Sequence, residues 1–131
     1  MTSLVTAPQL VSIVDDDNAV REATSDLLES HGYTTAVFAS AEEFLLSGQL
    51  EDTVCLVTDL RMPGASGIEL QQRLIDGGHR IPTIVVTAHP EEAMRSAAME
   101  VGALALLAKP LSEQHLLAWL ETAFVSSSAR A

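Results

Sequence analysis

The chain has 131 residues, 47% of them hydrophobic, and a formal net charge of -11 from 18 acidic and 7 basic residues. That length and composition fit one globular domain with a single core and exclude a disordered chain. The charge argues against nucleic acid and anionic membranes as partners, because their phosphates would be repelled, and in favour of cations and basic protein surfaces. In chain order, "QLVSIV" (9–14) reads as a strand and "NAVREATSDLLESHG" (18–32) as a helix, with Val20, Leu27 and Leu28 on its apolar side and Gly32 as its stop. "YTTAVF" (33–38) is β-branched and aromatic, a second strand. "SAEEFLLSG" (40–48) opens on a capping box, Ser40 to Glu43. "TVCLVTD" (53–59) is nearly continuously apolar, as a strand buried on both faces would be.

A second capping box, Ser66 to Glu69, opens the helix "SGIELQQRLIDGG" (66–78). "PTIVVT" (82–87) is another buried strand. "PEEAMRSAAMEVG" (90–102) predicts a helix with proline in its first turn and a glycine stop. "ALALL" (103–107) is the fifth strand, and "SEQHLLAWLETAF" (112–124) the last helix, with Leu116, Leu117, Leu120 and Phe124 facing inward. "VSSSARA" is expected to be a flexible tail or the start of a linker, leaving 9–125 as the folded unit. Strand and helix thus alternate five times, which implies an α/β fold: a five-stranded parallel sheet, doubly wound, with helices on both faces.

Functional residues of a parallel sheet gather at the carboxyl ends of its strands. The first strand ends in Asp15-Asp16, the third in Asp59, the fourth in Thr87 and the fifth just before Lys109, the only lysine in the chain. The second strand ends in "FASAE" and offers nothing comparable, which suits an edge position. The flavodoxin-like order 2-1-3-4-5 places it there and opens a crevice between strands 1 and 3. Three carboxylates facing one ammonium leave excess negative charge, and a divalent cation would neutralise it. Oxygen ligands alone, with His31, His79, His89 and His115 at no metal-ligand spacing, select Mg²⁺ or Mn²⁺ over zinc. Helix capping explains one acidic residue of the "DDDN" run, Asp17 or else its neighbour Asn18 in that role, but not all three aspartates.

"IVDDD", "VTDLRMPGASGIEL", "VVTAH" and "ALLAKP" resemble, in type, order and spacing, the signature segments of a bacterial response-regulator receiver domain of the FixJ-like kind. The resemblance covers residues 9 to about 125. It implies that Asp59 is the phosphoacceptor, that Asp15 and Asp16 hold Mg²⁺ with Asp59 and the backbone carbonyl of Met62, and that Thr87 is a switch hydroxyl. It further implies that Lys109 contacts the phosphoryl group and that the Lys109–Pro110 bond is cis. The expected function is acceptance of a phosphoryl group from a sensor histidine kinase, followed by a change of conformation that controls output. A phosphorylation-dependent homodimer through helix 4, strand 5 and helix 5 belongs to the same expectation. The chain departs from the family at Leu106, where an aromatic switch residue is usual.

The single cysteine, Cys55, sits in an apolar run and reads as a buried core thiol, so no intramolecular disulfide forms. The N-terminus lacks the basic and apolar regions of a secretion signal, and no apolar run reaches the ~18 residues of a membrane span. A reducing cytoplasm is the expected location. The main alternative is a Mg²⁺-dependent aspartyl-phosphate phosphohydrolase. Enzymes of the haloacid-dehalogenase type need a second aspartate two residues after the nucleophile, where this chain has Arg61. A flavin mononucleotide carrier would need a phosphate-cradling loop where "DDDNAV" would repel a phosphate. An interaction module with vestigial phosphorylation conflicts with the complete acidic, hydroxyl and lysine set. The chain therefore reads as a phosphoacceptor rather than an enzyme, and nothing in it binds DNA. It could still be the receiver half of a longer transcription factor.

Overall fold

The computed structural model describes the backbone of residues 10–129 and the side chains of residues 10–125. Gln9, the first residue of the expected first strand, and the end of the expected tail, 130–131, lie outside the described residues. Five strands, β1 (Leu10–Val14), β2 (Thr34–Phe38), β3 (Thr53–Asp59), β4 (Thr83–Thr87) and β5 (Ala105–Ala108), alternate with five helices. The helices are α1 (Asn18–Ser30), α2 (Ala41–Leu45), α3 (Gly67–Asp76), α4 (Glu92–Glu100) and α5 (Glu113–Ala129). All strand pairs are parallel, in the order β2-β1-β3-β4-β5. The central strands β1, β3 and β4 are buried nearly throughout, while β2 at the edge is half exposed.

Side-chain alternation divides the core. Val11 and Ile13 of β1, Cys55 and Val57 of β3, and Ile84 and Val86 of β4 pack with Leu28 of α1 and Leu116, Leu120 and Ala123 of α5. The intervening residues point to the other face. Val14 and Leu56 meet Phe44 of α2 and Leu70 and Leu74 of α3, and Val85 meets Leu106 and Ala98 of α4. Leu117, Trp119 and Phe124 border the first cluster instead of filling it, and Phe124 stacks on Tyr33 at 5.2 Å between ring centroids. Cys55 is fully buried, and that burial pushes its thiol pKa up to about 12.

Several boundaries differ from the sequence reading. The fifth strand, expected over 103–107, runs instead from Ala105 to Ala108. Pro90 is not in the first turn of α4: it precedes the N-cap, Glu91, whose side chain makes no capping bond. The helix α2 ends at Leu45, with Leu46 as its cap, so Ser47 and Gly48 belong to the following turn. The helix α5 continues through Ala129, past the expected end at Phe124, because neither glycine nor proline stops it there. The two capping boxes also differ. At α3, Ser66 accepts from the Glu69 N–H and Glu69 accepts from the Ser66 N–H. At α2, Ser40 accepts from the Glu43 N–H, but Glu43 accepts from Ala39, one residue further back.

Candidate functional site

The register of β1 on β3 pairs Val14 with Thr58, so the next residues, Asp15 and Asp59, end neighbouring strands side by side. Asp15 and Asp59 lie two residues on from Ile13 and Val57, so they continue the rows that face α1 and α5. Side-chain oxygens of Asp15, Asp16 and Asp59 lie within 4.8 Å of one another, with Asp15 and Asp59 buried and Asp16 exposed. Lys109 follows β5 directly and is anchored by a backbone bond to Thr87 (2.9 Å). Its Nζ donates to Asp15 Oδ2 at 3.2 Å and stands 3.4 Å from Asp59 Oδ1. The Lys109–Pro110 peptide is cis, as the resemblance implies.

Two carboxylates and one ammonium share a nearly dry corner, with Asp16 at its rim. Burial raises the Asp59 pKa above the ordinary carboxylate value, and the charges of Asp15 and Asp16 add to the rise, while Lys109 opposes it. For Lys109, burial works against the charge, but the bond to Asp15 and the two carboxylate charges hold its pKa above normal. The site therefore holds more negative charge than its one cation neutralises, and the three convergent oxygen donors could bind a metal ion.

Thr87 ends β4 on the opposite parity, alongside Val85, and is 1% exposed. Its hydroxyl accepts the His89 N–H at 3.2 Å, which orients the loop entering α4. Met62 is half-buried against the α2–α3 cluster, and His89 is exposed. Gly67 holds the β3–α3 connection tight, because a Cβ there would lie 2.6 Å from the Asp59 carbonyl oxygen. Asp17, left outside the acidic pair, caps α1 by accepting from Ala19 and Val20.

Sequence reasoning missed three supports. Arg21 Nη1 donates to the Asp15 carbonyl at 2.7 Å and Nη2 to Asn18, fastening the acidic loop to α1. Its position one helical turn after the Asp17 cap was the available signal. Glu42 reaches from α2 to accept the Ala65 N–H at 3.2 Å, near Arg73 at 3.6 Å, and so braces the loop after Asp59. Arg95 of α4 donates to the Leu106 carbonyl at 3.1 Å. Nothing local to Glu42 or Arg95 announces these contacts. Leu106 itself is 2% exposed, enclosed by Leu60, Val85, Ala98 and Ala103.

Residues 11–121 match the family described as the response regulator receiver domain. The response regulator protein TmoT of Ectopseudomonas mendocina is 42% identical over 87% of this chain and 52% of its own length. The transcriptional regulatory protein FixJ of Azorhizobium caulinodans is 42% identical over 82% of this chain and 51% of its own. The crystal structure of FixJ-N superposes with a TM-score of 0.80 at 37% identity, covering 90% of this chain and 94% of that one. The chain spans about half the length of the curated relatives it matches. No described helix is long and apolar enough to cross a membrane. With its strand order, acidic cluster and sequence likeness in agreement, the chain belongs to the response-regulator receiver domains, the FixJ-like phosphoacceptor modules of two-component signalling.

Proposed function

We propose that Asp59 is the phosphoacceptor and that a sensor histidine kinase is the donor. The observation that carries this reading is the contact of one ammonium, Lys109, with both Asp15 and Asp59 beside the exposed Asp16. A carboxylate oxygen of Asp59 attacks the phosphorus of a phosphohistidine. The P–N bond breaks with its electron pair going to the imidazole, and an acyl phosphate forms on Asp59. Lys109 is placed to neutralise phosphoryl oxygens as they approach. Asp15, Asp16, Asp59 and the Met62 carbonyl would hold Mg²⁺, or Mn²⁺ in its place. The ion, when bound, supplies the further positive charge that lets a phosphate approach a carboxylate.

Arg61 stands two residues after Asp59, where a phosphohydrolase would place its acid, and pairs with Glu91 at 3.4 Å. This supports a signalling acceptor over an enzyme. After phosphorylation, the Thr87 hydroxyl leaves the His89 amide to donate to the acyl phosphate, drawing the start of α4 with it. The surface of α4, β5 and α5 then controls output, through homodimerisation. The receiver unit spans 9–125 of a cytoplasmic regulator, and the segment after residue 125 leads to an output module. Since relatives of about twice the length are named transcriptional regulators, that module would bind DNA while this chain does not.

Labelling with acetyl phosphate tests the assignment. Asp59→Asn keeps the shape but cannot form an acyl phosphate, so it should incorporate no label in Mg²⁺ while melting cooperatively. Undiminished labelling would place the acceptor elsewhere.

A further inference from the structure

The loop that follows Asp59 has little of its own to hold it. Leu60, just past β3, still donates to the Val86 carbonyl at 2.8 Å, and its own carbonyl accepts the Gly67 N–H at 2.9 Å, which closes the loop at its base. From Arg61 to Ala65, the sole backbone hydrogen bond among the described residues runs from the Ala65 N–H to Glu42 Oε2 of α2, at 3.2 Å. Pro63 has no N–H to offer, and Gly64 turns the chain at a φ of 81°. The Glu42 carboxylate lies flat against that turn: a Cβ on Gly64 would stand 3.0 Å from its Oε1 and 3.2 Å from its Oε2.

The brace stands on a fixed base. Ala41 and Phe44, near Glu42 in α2, are fully buried in the cluster that also takes in Ala65 and, at its border, Met62. Arg73 of α3 stands 3.6 Å from the same Oε2, so the carboxylate is held from a second side. That ion pair is half-exposed and contributes little to stability by itself. Its effect is on direction: α2, the loop and α3 meet at one carboxylate that points at the Ala65 amide.

We infer that Glu42 is a positioning residue of the metal site: by holding Ala65 it fixes the loop that is to give the ion its backbone carbonyl, and so it sets Mg²⁺ affinity without touching the ion. The carboxylates that converge are those of Asp15, Asp16 and Asp59, and Glu42 is not one of them. Its influence passes through the backbone. An ion that recruits a carbonyl from a loose loop must order that loop on binding, and a loop already tied down costs it less. Outer partners of this kind, which orient a ligand rather than supply one, tune metal sites generally. The inference rests on the proposed function, in which the three aspartates and the loop carbonyl hold the ion.

Titration of the isotope-labelled chain with Mg²⁺, followed by amide shifts, measures the affinity, and melting of the metal-free protein is recorded beside it. Glu42→Ala should raise the Mg²⁺ dissociation constant about fivefold, the equivalent of one net hydrogen bond, while the chain still melts cooperatively. Glu42→Gln removes the charge but keeps an oxygen that can accept from Ala65, so its affinity should stay within about twofold of the parent. Equal losses in both variants would mean a negative charge attracting the ion from a distance. Parent-like affinity in Glu42→Ala, whatever its melting temperature, would mean a brace for the fold alone. Either result overturns the proposal. Asp16→Ala separates this failure from that of the metal site itself. If Asp16→Ala loses Mg²⁺ and Glu42→Ala does not, only the role of Glu42 falls; if Asp16→Ala also binds as the parent does, the metal site falls and the role of Glu42 with it.

Discussion

At the carboxyl edge of the sheet, Asp15 and Asp59 lie buried beside one ammonium, with the exposed Asp16 next to them. At the amino edge, the buried hydroxyls of Ser12 and Thr53 satisfy each other at 2.7 Å, and Gln71 is the one buried side chain left without a partner among the described residues. The same parallel strands produce both ends. The carboxyl edge crowds like charge into a buried corner, whereas the buried polar groups of the amino edge, Ser12, Thr53, Gln71 and Thr83, are uncharged. On the proposed function, charge repulsion is tolerated there because it prepares a cation and phosphoryl site, and the surrounding core offsets it. A receiver site is therefore a place where the folded chain gives up stability that the opposite edge retains.

Removing the one cation should widen this contrast most. Lys109→Ala leaves two buried carboxylates facing each other and should destabilise the metal-free protein by roughly 2 kcal/mol, less than a fully buried pair because the lysine is partly open to solvent. The sign is set by Asp59. Its folded-state pKa is raised, so the fold favours the protonated acid, and stability rises as pH falls through that pKa towards the unfolded value. Lys109 opposes the rise, so its loss moves the window to higher pH. Denaturant melts of the variant and parent should converge on acidification; a gap that stays constant with pH would mean that lost packing, not charge, is responsible.

The second way to sharpen the comparison is metal. At tenfold excess over its dissociation constant, Mg²⁺ should stabilise the parent chain by about 1.4 kcal/mol. Asp15→Ala and Asp16→Ala should keep or raise the metal-free melting temperature, since each removes a repelling charge, and should lose the Mg²⁺ response. Parent-like responses in both would remove these carboxylates from the metal site.

The amino edge predicts the opposite kind of change. Gln71→Met replaces an unsatisfied acceptor by a side chain of similar reach and should stabilise the chain by about 1 kcal/mol, insensitive to Mg²⁺. A loss of stability would mean that the amide makes a bond the buried oxygen does not reveal.

The smallest effect concerns Leu106, where the family's aromatic switch is replaced. Leu106→Met conserves volume, so activation by beryllium fluoride, read as hydrogen exchange in α4, should change by less than about twofold. Thr87→Val should abolish the response, because no hydroxyl is left to leave the His89 amide and donate to the phosphoryl analogue. A response lost in Leu106→Met would make that side chain an active part of the switch.

Much of this architecture is written in short-range pattern. Apolar runs alternating with amphipathic stretches specify the five strand–helix units, and the acidic, hydroxyl and lysine residues fall at the strand ends where a parallel sheet collects them. Ser66 and Glu69 announce the start of α3 because both partners lie within one turn. Pro90 misleads by a residue or two, since proline suits the approach to a helix as well as its first turn.

The sequence by itself determined the order of elements and the strand-end position of Asp15, Asp16, Asp59, Thr87 and Lys109. Only the tertiary structure decided which of these touch. The β1–β3 register sets Asp15 beside Asp59, and the approach of β5 brings Lys109 to both, in the case of Asp15 across 94 residues of chain. It also decided that Glu42 braces the loop after Asp59 and that Gln71 is left with an orphaned oxygen. The reason is range. Helix caps and strand alternation depend on neighbours a few residues away, whereas contacts between elements depend on crossovers and register that no local spacing encodes.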